Sequence, residues 1–173
     1  MVIQLDSREK PKAIQKIIAD FNAAGVKYFV SKLPVGDYMS LDNPKLVIDR
    51  KQNLAELCAN ISDVPVKDSK GRFVREADGS IRTPLKRLKR EFERAQEYGI
   101  KLIILCEHGG QIHCLEDVPK WHNPRLKESP LAVSGERLYR ILAVLGKRYG
   151  VDFVFCDKRQ TGKRIIEILS GGM

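Results

Sequence analysis

Val47-Ile48-Asp49-Arg50-Lys51 ends an apolar run in a carboxylate and an amine two residues apart, and twelve residues before Asp49 stands Asp37, within Gly36-Asp37-Tyr38. Side chains alternate along a strand, so Asp49 and Lys51 share one side of the chain while Arg50 points the other way unless the strand twists or ends there. Two carboxylates and a lysine are what a metal-assisted attack on a phosphodiester requires. The acids supply charge for a divalent cation, which stabilises the developing phosphorane and acidifies a water. The plain alternative is the solvated end of a buried strand, because an Asp-x-Lys tripeptide is common.

The neighbouring segments favour the chemical reading. The chain opens Val2-Ile3-Gln4-Leu5-Asp6-Ser7-Arg8-Glu9, continues through Leu33-Pro34-Val35-Gly36-Asp37-Tyr38 and reaches Asp49-Arg50-Lys51. In order and spacing these resemble the D-x-R-E, L-x-V-G-D-Y and E-R-K-x-x-x-D motifs of the nuclease domain in the XPF family of structure-specific DNA endonucleases, members of the PD-(D/E)xK superfamily. The resemblance implies a restriction-endonuclease-like α/β domain, a central mixed sheet flanked by helices in three layers. It implies metal-dependent hydrolysis of DNA at branched or flapped structures, with Mg2+ or Mn2+ as cofactor. Carried across, it assigns Asp37 and Asp49 as metal ligands, Asp6 and Glu9 as acids completing or bordering the metal site, and Lys51 as the residue that positions the water. Arg50 becomes a partner of the scissile phosphate or a structural residue, and Arg8, Lys86, Arg87 and Arg90 are candidate DNA contacts.

Two departures stand out. Aspartate replaces the first glutamate of E-R-K, which shortens that acid by one methylene. Ala55 stands where the last aspartate is expected, next to Glu56. The second departure motivates an alternative function, a catalytically inactive nuclease-fold subunit that binds DNA or serves as a scaffold.

Charge agrees with a polyanionic partner. Thirty-one Lys and Arg against 22 Asp and Glu give a net charge of +9, and such an excess favours nucleic acid through counterion release. Part of the charge on the helix containing Lys86, Arg87, Lys89, Arg90 and Arg94 reads as pairing with Glu91, Glu93 and Glu97 on a solvated face.

Hydrophobic periodicity predicts strands over 2–5, 28–33, 46–50, 102–106 and 151–156. It predicts helices built on Ile14-Ile17-Ile18-Phe21, Leu54-Leu57-Cys58-Ile61, Leu85-Leu88-Phe92-Ala95, Leu138-Ile141-Leu142-Leu145 and Ile165-Ile166-Ile168-Leu169. The strands over 28–33 and 46–50 are expected to carry Asp37 and Asp49, and 102–106, the most apolar, to lie centrally. The order β-α-β-β-α-α-β-α-β-α suits one domain over 1–173. Two segments fall outside it. Residues 63–84, with turn signals at Lys70-Gly71-Arg72 and Asp78-Gly79-Ser80, read as a hairpin, and 109–134 contain Trp121, which either anchors a loop or stacks on an unpaired base.

No helix-hairpin-helix module is visible, so targeting is expected from those two segments, from a homodimer, or from a partner subunit. No apolar run approaches the ~18 residues of a membrane span, and no signal peptide opens the chain, which suggests a cytoplasmic protein. Cys58, Cys106, Cys114 and Cys156 lack C-x-x-C spacing and read as buried reduced thiols. Cys106, His108, His113 and Cys114 form a weak candidate zinc set, and Gly146-Lys147-Arg148 and Gly162-Lys163-Arg164 lack the rest of a phosphate loop.

Overall fold

The computed structural model describes residues 1–130 and 132–172. A six-stranded mixed sheet forms its middle layer, in the order β2-β1-β3-β4-β5-β6. The strands are β1 (Val2–Leu5), β2 (Lys27–Val30), β3 (Tyr38–Ser40), β4 (Asn43–Lys51), β5 (Lys101–Glu107) and β6 (Asp152–Cys156). β1 pairs in parallel with β2 and antiparallel with β3; β3 and β4 are antiparallel; β4, β5 and β6 run parallel. The helices are α1 (Pro11–Ala23), α2 (Leu54–Asn60), α3 (Pro84–Glu97), α4 (Gly135–Tyr149) and α5 (Thr161–Leu169).

The two faces of the sheet separate by residue parity. Ile48, Ile103 and Leu105 meet Ile14, Ile17 and Phe21 of α1 and Ile165 and Ile168 of α5. Val47, Ile104 and Cys106 meet Leu54 and Leu57 of α2, Leu88 and Phe92 of α3, and Leu138 and Leu142 of α4. Burial of these aliphatic faces is the main stabilising contribution. Local signals set the helix ends. The Thr83 hydroxyl accepts the Lys86 N–H at 3.2 Å ahead of Pro84 at the start of α3, and Gly150 closes α4 at φ 67°.

Three expectations are revised. Asp37 does not lie on the strand begun at residue 28; that segment is the edge strand β2, and Asp37 precedes β3, a strand absent from the periodic reading. With three residues, Tyr38 to Ser40, β3 is too short to show alternation. β5 is interior, with both faces covered, but the middle of the sheet is the β3–β4 pair. Finally, Cys114 is exposed: it starts a short 3₁₀ turn over Leu115–Lys120, although Cys106 is buried as expected and Cys58 and Cys156 are partly so.

The two insertions also take definite forms. Residues 66–82 make two successive tight turns rather than one hairpin, with Lys67 bridged to Phe73 and Arg75 to Ile81. In the second segment Trp121 packs against the core beneath α4, edge-on to His108 with ring centroids 6.3 Å apart.

The bend that delivers Asp37 depends on Gly36, at φ 64°. A Cβ there would lie 2.6 Å from Val47 Cγ1 and 2.9 Å from the Ile48 carbonyl oxygen. Replacing Gly36 by alanine is expected to lower unfolding stability by about 2 kcal/mol or more, through both the left-handed backbone and the clash, as measured by urea denaturation.

Candidate active site

Backbone ladders place Asp37 with little freedom. Its N–H donates to the Ile48 carbonyl at 2.7 Å, and its own carbonyl accepts the Asp6 N–H at 2.8 Å. One carboxylate oxygen, Oδ2, accepts the Arg50 N–H at 2.8 Å. Asp49 and Lys51 lie two positions apart on β4, opposite Ile104 and Cys106 of β5, and are 3% and 7% exposed. The Lys51 ammonium sits 2.7 Å from each carboxylate oxygen of Asp49, but only Oδ1 is oriented to accept its hydrogen bond. Asp49 Oδ2 is buried without a hydrogen-bond partner.

Asp37, Asp49 and Lys51 open into one cleft of about 490 Å³. α3 contributes a further acid, Glu91, whose Oε1 accepts the Gly36 N–H at 3.3 Å. Around this acidic floor stand Arg8, Arg82, Arg87, Arg90 and Arg94. Burial, then the charges of Asp49 and Glu9, push the Asp37 carboxyl up to about 8, against the opposing Arg50 N–H. Burial and the Asp49 charge likewise raise Glu91. For Lys51, burial alone would lower the pKa, but the Asp49 charge and hydrogen bond, with Glu91 and Asp37, carry it above the ordinary lysine value.

Asp6, Glu9 and Arg50 are placed elsewhere. Asp6 accepts hydrogen bonds from the Arg8 N–H at 2.8 Å, Arg8 Nε at 2.6 Å and the Leu33 N–H at 2.6 Å. It therefore ties the end of β1 to the loop leading to Asp37, and its oxygens do not line the cleft. Arg50, 6% exposed, projects to the opposite face of the sheet. Its guanidinium binds Glu9 Oε2 at 2.9 Å and Glu107 Oε1 at 3.0 Å, while the Tyr38 hydroxyl donates to the same Glu9 oxygen at 3.0 Å. Alternation along β4 thus separates Arg50 from Asp49 and Lys51 and turns its side chain to Glu9 and Glu107. Of the candidate DNA contacts, Arg8, Arg87 and Arg90 reach the cleft, whereas Lys86 Nζ donates to the Ile81 carbonyl at 3.0 Å.

Glu91 is the residue that sequence reasoning missed. Its i,i+4 neighbours suggested a solvated helix face, and only the packing of α3 over β5, with Glu91 against the Gly36 turn, brings it inward. The step between Leu88 and Phe92, both buried, is the signal that could have shown it: Glu91 adjoins the apolar stripe.

Among the described residues no three His, Cys, Asp or Glu side chains converge tightly enough to form a metal cage. A divalent cation such as Mg2+ is commonly held by one or two carboxylates with water and phosphate completing its shell. The hard oxygen donors of Asp37 and Asp49, the Asp49 Oδ2 that accepts no hydrogen bond and the repulsion between the two acids fit such a cation. Ala55 has no part in this cleft. It lines a separate groove between α2 and α4, and Glu56 caps α2 by accepting the Gln52 N–H at 2.8 Å.

Comparison with known proteins places the chain in a family and identifies its fold. The family model for the ERCC4 domain matches residues 5–169, and the chain belongs to that family of nuclease domains. Its fold is that of the nuclease domain of XPF from Aeropyrum pernix, with a TM-score of 0.60 and 19% identity over 98% of this chain and 63% of that one. The same protein in complex with DNA matches with a TM-score of 0.60 and 18% identity over the same shares. The chain therefore spans a little under two thirds of those structures. A search of curated proteins finds no match.

Two consequences can be measured. Replacing Arg50 by leucine strands Glu9 and Glu107 and is expected to cost about 3–5 kcal/mol in urea denaturation. In chelator, the folded chain holds a proton on Asp37 that the unfolded chain releases between the ordinary aspartate value and about 8, so this group lowers stability as pH rises through that window. Asp37→Asn is therefore expected to melt about 5 °C above the parent near pH ~8 and level with it near pH ~4, by thermal denaturation.

Proposed function

We propose that this chain is a Mg2+- or Mn2+-dependent DNA endonuclease acting on branched or flapped structures. The observation that carries the reading is the buried Asp49 carboxylate, paired with Lys51 and with one oxygen that accepts no hydrogen bond, beside Asp37 in an arginine-rimmed cleft. Asp37 and Asp49 would hold the cation. When bound, it would stabilise charge on the pentacoordinate phosphorus and acidify a water.

The protein's own groups account for the rest. The hydrogen bonds of Asp37 to Ile48 and Arg50 fix one carboxylate before substrate arrives, so little reorganisation is left for the reaction. Lys51, held protonated by Asp49, presents positive charge to the incoming phosphate and orients the water by donating to it. The five rim arginines supply phosphate contacts that position the strand without reading its sequence. DNA is the substrate carried by the resemblance and by the solved complex of the Aeropyrum pernix protein.

The alternative, an inactive DNA-binding or scaffolding subunit, drew on Ala55. The position of that residue in a separate groove supports the catalytic reading instead. Like charges held together beside a lysine are also costly to retain without a cation to use them.

The test is cleavage of end-labelled duplex, flap, fork, four-way-junction and single-stranded DNA in Mg2+, Mn2+ or chelator. Metal-dependent cutting is expected, strongest on flapped or branched DNA. Asp49→Ala is expected to abolish cutting while DNA affinity holds or rises, and Lys51→Ala to slow it by about 10²-fold or more. DNA binding by the parent without cutting in either metal would leave the scaffold reading.

A further inference from the structure

The insertion between α2 and α3 brings to the cleft an acid, Glu76, that the proposed hydrolysis does not use. Glu76 lies between two guanidiniums: Arg82 Nε is 2.9 Å from Oε1, and Arg90 Nη1 is 2.9 Å from Oε2. The other terminal nitrogen of Arg90 reaches Asp78 Oδ2 at 3.0 Å. The Glu76 side chain is 13% exposed, against 44% and 39% for Arg82 and Arg90. The carboxylate is thus enclosed by a fork whose outer side remains open to solvent. Arg82, Arg90 and Glu76 line the same cleft as Asp37 and Asp49.

Resting on the nuclease reading above, we propose that Arg82 and Arg90 form a subsite for a backbone phosphate of the nucleic acid, and that Glu76 fills it in the free protein in place of that phosphate. A guanidinium meets carboxylate and phosphate oxygens with the same planar, paired geometry, so a ligand that suits one suits the other. A phosphodiester carries one negative charge over two oxygens, as a carboxylate does. Exchange of one for the other keeps the fork neutralised, and release of counterions from DNA favours it.

The architecture permits the exchange. Arg82 is fixed by its backbone, donating to the Val74 carbonyl and accepting the Val66 N–H, each at 2.9 Å. Arg90 is fixed by α3. Glu76 begins a tight turn, its N–H donating to the Ser80 carbonyl at 2.9 Å, with Gly79 at φ 77° and the Asp78 side chain 60% exposed. The two arginines therefore stay in place while the acid leaves on a solvent-exposed turn. A bystander role, in which Glu76 only ties the insertion to α3, makes the opposite prediction for affinity.

Fluorescence anisotropy of labelled duplex and flap DNA in chelator, over a series of salt concentrations, separates the two. Arg82→Gln is expected to weaken binding about tenfold and to reduce the slope of log affinity against log salt by about one. Arg82→Lys, which keeps the charge without the fork, should fall between Arg82→Gln and the parent and serves if Arg82→Gln is poorly folded. Glu76→Gln is expected to tighten binding by about threefold to tenfold, and that gain should disappear in the Arg82→Gln or Arg82→Lys background. Unchanged or weaker binding by Glu76→Gln would overturn the proposal, as would an equal gain with and without the Arg82 fork, which marks a general effect of charge. Absence of DNA binding by the parent chain would instead overturn the nuclease reading on which the subsite rests.

Discussion

The buried guanidinium of Arg50 joins the α1, α5 side of the sheet to the chemistry on the other side. Its side chain spans Glu9, at the entry to α1, and Glu107, at the end of β5, while its backbone N–H faces Asp37. One residue therefore fixes the β1–α1 connection, the ends of β4 and β5, and the acid at the head of β3. A buried ion pair of this kind adds little net stability over an apolar substitute, since desolvation offsets most of the Coulomb gain. Its value lies in geometry: both carboxylates have directional partners, and displacing any of these segments leaves a buried charge unpaired.

The cleft has the opposite electrostatic economy. Asp37, Asp49 and Glu91 crowd negative charge where burial already disfavours it, and only Lys51 compensates from within. The arginines stand further out, where solvent screens them. An acidic floor under a basic rim attracts a polyanion over distance yet reserves its innermost point for a cation. For the proposed function neither half would serve alone, since a uniformly acidic pocket repels DNA and a uniformly basic one holds no divalent metal.

Much of this was legible in the amino-acid order because it depends on short-range rules. Asp49 and Lys51 share a face by strand alternation, and the same rule sends Arg50 away from them. Helices with clean apolar stripes, such as Leu138 to Leu145, appear where periodicity places them. What escaped depends on partners distant in the chain. Asp6 looks like a metal ligand until Arg8 and the Leu33 N–H are seen to take its oxygens. Glu91 looks solvated until α3 is set over β5 and the Gly36 turn. β3 escapes because three residues cannot display a period, and it is specified instead by the ladders it forms with β1 and β4.

The insertion at 66–82 lies in the crossover between two parallel neighbours, β4 and β5, whose register runs from Leu46 beside Lys101 to Lys51 beside Cys106. A crossover has no fixed length, and lengthening it raises closure entropy only logarithmically. The chain can thus be elaborated directly above its reactive groups without disturbing the ladder that aligns them. The sheet therefore fixes the positions of Asp49 and Lys51, while the excursion above them can change length or charge without moving either.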